Sequence, residues 1–162
     1  MYAYMVGYPI GRIKEEEEDA FIVEVNYEFI HLSDKETKEW EAIFFYSDEE
    51  TKKTYTELNK KGVCILAGNE FSLLSRLANF KPIRQGSSVK FDGNMILLIA
   101  DKKAPVDEVA FHIWRLSNGQ RTVKDIYRTV KKMGILNSAQ SLEHHFLERM
   151  AMLTSGNILF LS

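Results

Sequence analysis

The sequence predicts an α+β fold of two small winged-helix-like units, each a β-hairpin followed by two or three helices and a strand. Three observations carry that prediction. Residues 104–162 read as three short amphipathic helices ending in the apolar run Ile158-Leu159-Phe160-Leu161. Ahead of them, Asp92-Gly93-Asn94 separates Val89-Lys90-Phe91 from Met95 to Ile99, and Asp-Gly between apolar runs is a strong hairpin cue. Residues 1–68 repeat a shortened version of the same order: hairpin, helix, helix, strand. The units are accordingly bounded as 1–68 and 88–162, with a connecting helix and linker at 69–87.

In chain order, Met1 to Ile13 alternates aromatic and small residues, as a strand or packed arm does. Glu15-Glu16-Glu17-Glu18-Asp19 follows; five like charges in a row repel one another and read as a solvated loop. Phe21 to Val25 and Glu28 to Leu32 form a hairpin around Asn26-Tyr27. Ser33-Asp34 caps a helix running through Trp40, Ile43 and Phe44. Ser47 with Glu50 has capping-box spacing and opens a helix through Thr51, Tyr55 and Leu58. Gly62 ends it, and Val63 to Leu66 returns as a strand.

Glu70 to Ala78 has the spacing of a short helix with Phe71, Leu74 and Leu77 inward, and Asn79 to Ser88, with Pro82 and Gly86, reads as the linker. Pro105-Val106-Asp107 opens the next helix, because proline suits the first helical position, where its missing N–H is not needed. Val106, Val109, Ala110, Ile113 and Trp114 make its apolar face, and Asn118-Gly119 stops it. Thr122 with Asp125 caps a second helix whose face is Val123, Ile126, Tyr127 and Val130, ended by Gly134. A third, from about Ala139 to Leu153, carries Leu142, Phe146, Met150 and Leu153. Tyr55 precedes Gly62, and Tyr127 precedes Gly134, by the same seven residues, each pair spanning a Lys-Lys. That match reads as internal duplication or as ordinary helix-end chemistry.

Composition narrows the function classes. At 45% hydrophobic and 12% aromatic residues the chain has ample material for a core. Its longest apolar run, Met95 to Ala100, falls far short of the roughly 20 residues a membrane span needs, so no membrane partner is expected. Cys64 is the single cysteine and sits among Val63, Ile65 and Leu66, reading as a buried hydrophobe in a reducing, cytoplasmic setting. The net charge of −2 hides an asymmetry: residues 1–68 carry 15 acidic and 8 basic side chains, residues 69–162 carry 8 and 13. Such a split marks either a basic half that meets an acidic partner or two halves that attract each other.

The hairpin, then Pro105-Val106-Asp107-Glu108-Val109-Ala110, then Leu116-Ser117-Asn118-Gly119-Gln120-Arg121-Thr122-Val123-Lys124-Asp125-Ile126, resembles the PqqD-like winged helix over residues 88–162. Members of that family act as peptide-binding modules in ribosomal peptide modification, where the leader peptide adds as a strand between the hairpin sheet and the third helix. The resemblance implies a groove formed by Met95, Leu97 and Ile99 with Leu142, Phe146 and Met150. It also implies an accessory role in peptide modification, although this chain carries a second unit of comparable size and no fused maturase.

Three function classes are weighed on the residues themselves. An open sheet edge offers unpaired N–H and C=O groups to a peptide or protein segment. A DNA-binding regulator is the alternative: Arg115, Arg121, Lys124, Arg128 and Lys131 form a basic patch in and before the second C-terminal helix. The third helix, which would read the groove, carries Glu143 and Glu148 against Arg149, and carboxylates repel phosphates. Catalysis finds little support, since no H-E-x-x-H, phosphate loop or nucleophile elbow occurs. His144-His145 with Glu148 reads as a surface feature, and His31 and His112 are isolated. The expectation is a non-catalytic module with no cofactor and no metal, a peptide or protein segment as its partner, and a homodimer compatible with the sequence.

Overall fold

The computed structural model describes residues 1–14, 19–46, 48, 50–91, 94–100, 102–137, 139 and 141–162. The protein has an α+β fold. The first half contains β1 (Tyr2–Met5), β2 (Tyr8–Lys14), β3 (Asp19–Val25), β4 (Glu28–Leu32), α1 (Asp34–Glu41), α2 (Lys52–Lys60) and β5 (Cys64–Ala67). The second contains α3 (Glu70–Leu77), β6 (Pro82–Arg84), β7 (Ser87–Phe91), β8 (Asn94–Ile99), β9 (Lys102–Val106), α4 (Glu108–Leu116), α5 (Val123–Lys132), α6 (Leu142–Ser155) and β10 (Leu159–Leu161). All strand pairings are antiparallel: the meanders β2-β3-β4 and β7-β8-β9, and the pairs β1-β5 and β6-β10.

Local chemistry explains most element boundaries. Ser33 caps α1 in a full capping box with Glu36, and Thr122 does the same for α5 with Asp125. Asn26 and Tyr27 both take positive φ, the conformation that a two-residue hairpin turn demands. The face foreseen for α5, Val123, Ile126, Tyr127 and Val130, is the buried one. The foreseen hairpins β3-β4 and β7-β8 are both present, while residues 15–18, Ser47, and the turn residues Asp92 and Gly93 lie outside the described residues.

Five expectations need correction. Pro105 and Val106 do not open a helix; they end β9, and the helix is capped by Asp107, whose side chain accepts from the Ala110 N–H at 2.8 Å. The hairpin before the helices is therefore a three-stranded sheet. The foreseen linker is strand: β6 pairs with β10, Arg84 N–H donates to Ser117 C=O and Gly119 N–H to Pro82 C=O. Helix α1 stops at Glu41, because Ile43 turns inward to the core and Phe45 takes a positive φ. Phe71 points outward at 75% exposure, while Leu73, Leu74 and Leu77 face inward. Finally, α6 begins at Leu142 behind the Ser141 cap rather than near Ala139.

Two cores meet at β1. Ala3 and Met5 enter a cluster with Val23, Leu32, Trp40 and Leu58. Tyr4 and Val6, on the opposite face, enter a larger cluster with Leu73, Ile113, Ile126, Phe146 and Leu153. Alternate side chains of a strand point to opposite faces, so one four-residue strand serves both cores. The chain then passes Gly7, whose N–H donates to the Leu161 C=O at 2.8 Å. Gly7 has φ +111°, and a Cβ there would stand 2.2 Å from Val23 Cγ1. Gly7→Ala is expected to cost about 3 kcal/mol, from backbone strain and overpacking together. Urea denaturation measures it, and a loss no larger than that of Gly11→Ala, at a position with open space, would refute the assignment.

Candidate peptide-binding surface

The six residues implied for a peptide groove separate by burial. Leu97, Phe146 and Met150 are fully buried in the larger core, leaving no surface for a ligand to touch. Met95, Ile99 and Leu142 are partly exposed. Strand β8, which holds Met95, Leu97 and Ile99, lies between β7 and β9, so its backbone groups are paired on both sides. A segment adding to this sheet meets β7 or β9 instead.

Those two edges differ, and Pro105 decides how. Proline has no N–H to donate, so within a continuous ladder it must sit where its nitrogen faces away from the neighbouring strand. Pro105 is opposite Ile96, so that pair is the non-hydrogen-bonded kind, and the bonded pairs are Ala104 with Leu97 and Val106 with Met95. The outward groups of β9 then come from Lys103 and from Pro105, which offers a carbonyl alone. Alternation carries across β8. Ile96 and Leu98 bond to Val89 and Ser87 on β7, which turns the N–H and C=O of both Ser88 and Lys90 outward. Residues 86–90 are exposed throughout. Thus β9 is blunted by a proline and two lysines, the devices that protect edges, whereas β7 presents two complete donor–acceptor pairs.

The sheet leaves a cleft of about 460 Å³ against the start of α4, and this cleft reaches β7 at Lys90. Met95 and Val106, cross-strand partners, line it with Lys90, Phe111 and His112. Phe111 is held by stacking on Trp114 at 6.0 Å, and Trp114 is anchored by its Nε1–H to the Gln85 carbonyl at 2.8 Å. His112 Nδ1 is buried without a hydrogen-bond partner among the described residues. Asp107, also lining the cleft, is committed to the α4 cap and to Arg149. Alternate side chains of an added strand would point either to this cleft or to solvent.

The histidine pair is not a surface feature. His144 is only 9% exposed and stands between the two halves. Its Nδ1 donates to Glu70 Oε1 at 3.1 Å, since a carboxylate can only accept, and its Nε2 shares a hydrogen bond with the Tyr46 hydroxyl at 3.2 Å. Tyr2 also donates to Glu70 Oε1, and the rings of Tyr2, Phe45 and Tyr46 surround the imidazole. The signal was present in the periodicity: His144, Leu147, Ala151 and Thr154 recur on one face of α6, and all are buried. His145 Nδ1 accepts from the Asn137 N–H at 2.8 Å.

The basic residues are all exposed, and Lys124, Arg128 and Lys131 share one face of α5. Cys64 is buried and its thiol is pushed up to about 12 by desolvation, so it is chemically quiet. Among the described residues no cluster of histidine, cysteine or carboxylate side chains has metal-site geometry, and no helix is long and apolar enough to cross a membrane. Comparison with protein-family models, curated proteins and solved structures gave no match.

Two measurements check this geometry. Ser88→Pro removes only an outward N–H and should leave stability nearly unchanged, whereas Val89→Pro removes a ladder bond and should cost about 1–3 kcal/mol. Equal losses for the two would overturn the edge assignment. Separately, the Tyr2 hydroxyl holds the Glu70 carboxyl below its ordinary value of 4.5, and the Tyr127 hydroxyl does the same for Glu143. The unfolded chain then binds these protons more readily, so their contribution is full above pH 4.5 and is lost as pH falls through the folded-state values. Circular dichroism followed below pH 4.5 should show a shallower acid loss in Glu70→Gln/Glu143→Gln than in the wild type; identical slopes would refute the coupling.

Proposed function

We propose that the chain is a non-catalytic peptide- or protein-binding module that takes an extended segment as an added strand on β7. The observation that carries this reading is the exposed β7 edge, with the backbone groups of Ser88 and Lys90 turned outward and Lys90 lining the cleft that Met95, Val106 and Phe111 share. Main-chain hydrogen bonds supply affinity in this mode of recognition and side-chain pockets supply selectivity. The likeness of residues 88–162 to the PqqD-like winged helix supports a peptide ligand and an accessory role in peptide modification. On this reading the ligand occupies the opposite side of the sheet from the edge beside β9. A DNA-binding regulator is the second reading, carried by the exposed cations of α5. It is weakened by α6, which buries Phe146, Leu147 and Met150 and carries Glu143 and Glu148.

Nuclear magnetic resonance of the uniformly ¹⁵N-labelled chain, titrated with a pool of short random-sequence peptides, tests the reading. The amides of Ser88 and Lys90 should shift and gain protection from exchange. Ser88→Pro should weaken the tightest peptide by about five- to tenfold, the worth of one hydrogen bond. Shifts confined to α5, appearing only with duplex DNA, would reject strand addition in favour of the regulator.

A further inference from the structure

We propose that the groove between α3 and α5 is a second docking site, which receives an acidic amphipathic helical segment of a protein partner. The inference stands apart from strand addition at β7, because it uses other elements and another kind of ligand. The groove encloses about 370 Å³. Its two walls differ in chemistry. From α3 and its C-cap come Phe71, Leu74, Ser75 and Ala78, a mostly apolar wall whose Phe71 is 75% exposed to water. From α5 come Lys124, Arg128 and Lys131, at i, i+4 and i+7, all exposed.

Among the described residues no carboxylate lines the groove. The acidic side chains nearest in sequence make their hydrogen bonds elsewhere: Asp125 in the Thr122 capping box, Glu70 with Tyr2 and His144, Glu143 with Tyr127. Asp125 also feels the charges of Arg128 and Lys124, and Glu143 that of Lys131. Among the described residues none of the three cations forms an ion pair, although Lys131 lies over the Tyr127 ring at 5.5 Å. An apolar wall facing a cationic one complements a helix with leucine- or phenylalanine-type residues on one side and aspartate or glutamate on the other. The cationic stripe spans roughly 10 Å, matching about two turns of such a helix. A nucleic acid would pair its phosphates with α5 but leave Leu74 and Ala78 without an apolar partner, since that wall offers a base edge only the Ser75 hydroxyl. Phe71 on this face is the exposed aromatic anchor that binding sites favour.

The test uses the full chain in a selection from a display library of short helix-biased peptides. Enriched sequences should carry aspartate or glutamate beside apolar residues at i and i+3 or i+4. A fluorescein-labelled copy of one should lose about tenfold or more in affinity with Phe71→Ser and with Arg128→Glu, as for loss of an anchor residue. Both substitutions sit on exposed side chains and should leave the melting temperature unchanged. Ser88→Pro should leave this affinity intact, which separates the site from the β7 edge. Enrichment that is absent, that is basic, or that survives Phe71→Ser would overturn the proposal. So would labelled oligothymidine binding more tightly than every selected peptide and losing that binding with Arg128→Glu.

Discussion

The structure depends on a strand buried on both faces. β1 supplies Ala3 and Met5 to one core and Tyr4 and Val6 follow the opposite face into the other. Its partner β5 repeats the arrangement, with Cys64 in the smaller core and Ala67 in the larger. The halves are thereby joined through two paired strands whose opposite faces enter different cores, and the Gly7 N–H adds a backbone hydrogen bond to the Leu161 C=O across the join. Trp40 reinforces the join from the smaller core by donating its Nε1–H to the carbonyls of Val6 and Val63. From the larger core, Thr154 Oγ1 reaches the Tyr4 hydroxyl. Removing water from both faces of one strand makes each core a condition for the other, because neither β1 nor β5 keeps a solvated face to fall back on.

A polar seam completes the junction. Glu70, at the start of α3, holds both Tyr2 from β1 and His144 from α6, and Tyr46 closes the imidazole's other nitrogen. Every member has a partner, the condition under which a partly buried polar network specifies one arrangement instead of costing stability. With β1 and this seam engaged inside, the free hydrogen-bonding capacity of the second half lies at its margins. There the two edges of one small sheet are treated oppositely, one carrying Lys102, Lys103 and Pro105, the other left open at Ser88 and Lys90. Edge protection is a general need of β-structure, and of the two edges only β9 carries a proline. The α3–α5 groove is built on different physics, apolar wall against cationic wall, and the two surfaces share no residue.

The sequence by itself determined what short-range chemistry controls. The caps at Ser33 and Thr122, the Asn26-Tyr27 turn, and the buried faces of α4 and α5 were all readable, because each involves groups within about one helical turn or one strand period. Of the candidate site, the outline of a hairpin sheet near residues 89–99 was legible, and so was the basic face of α5. The tertiary structure decided the rest. It made residues 102–106 a third strand and so closed off β8; it drew the Pro82–Arg84 segment onto β10; it turned Phe71 outward and His144 inward. The third strand pairs with its sequence neighbour β8, but the others turn on partners tens of residues away, and their pairing is chosen by which apolar surfaces can be covered together rather than by any local pattern.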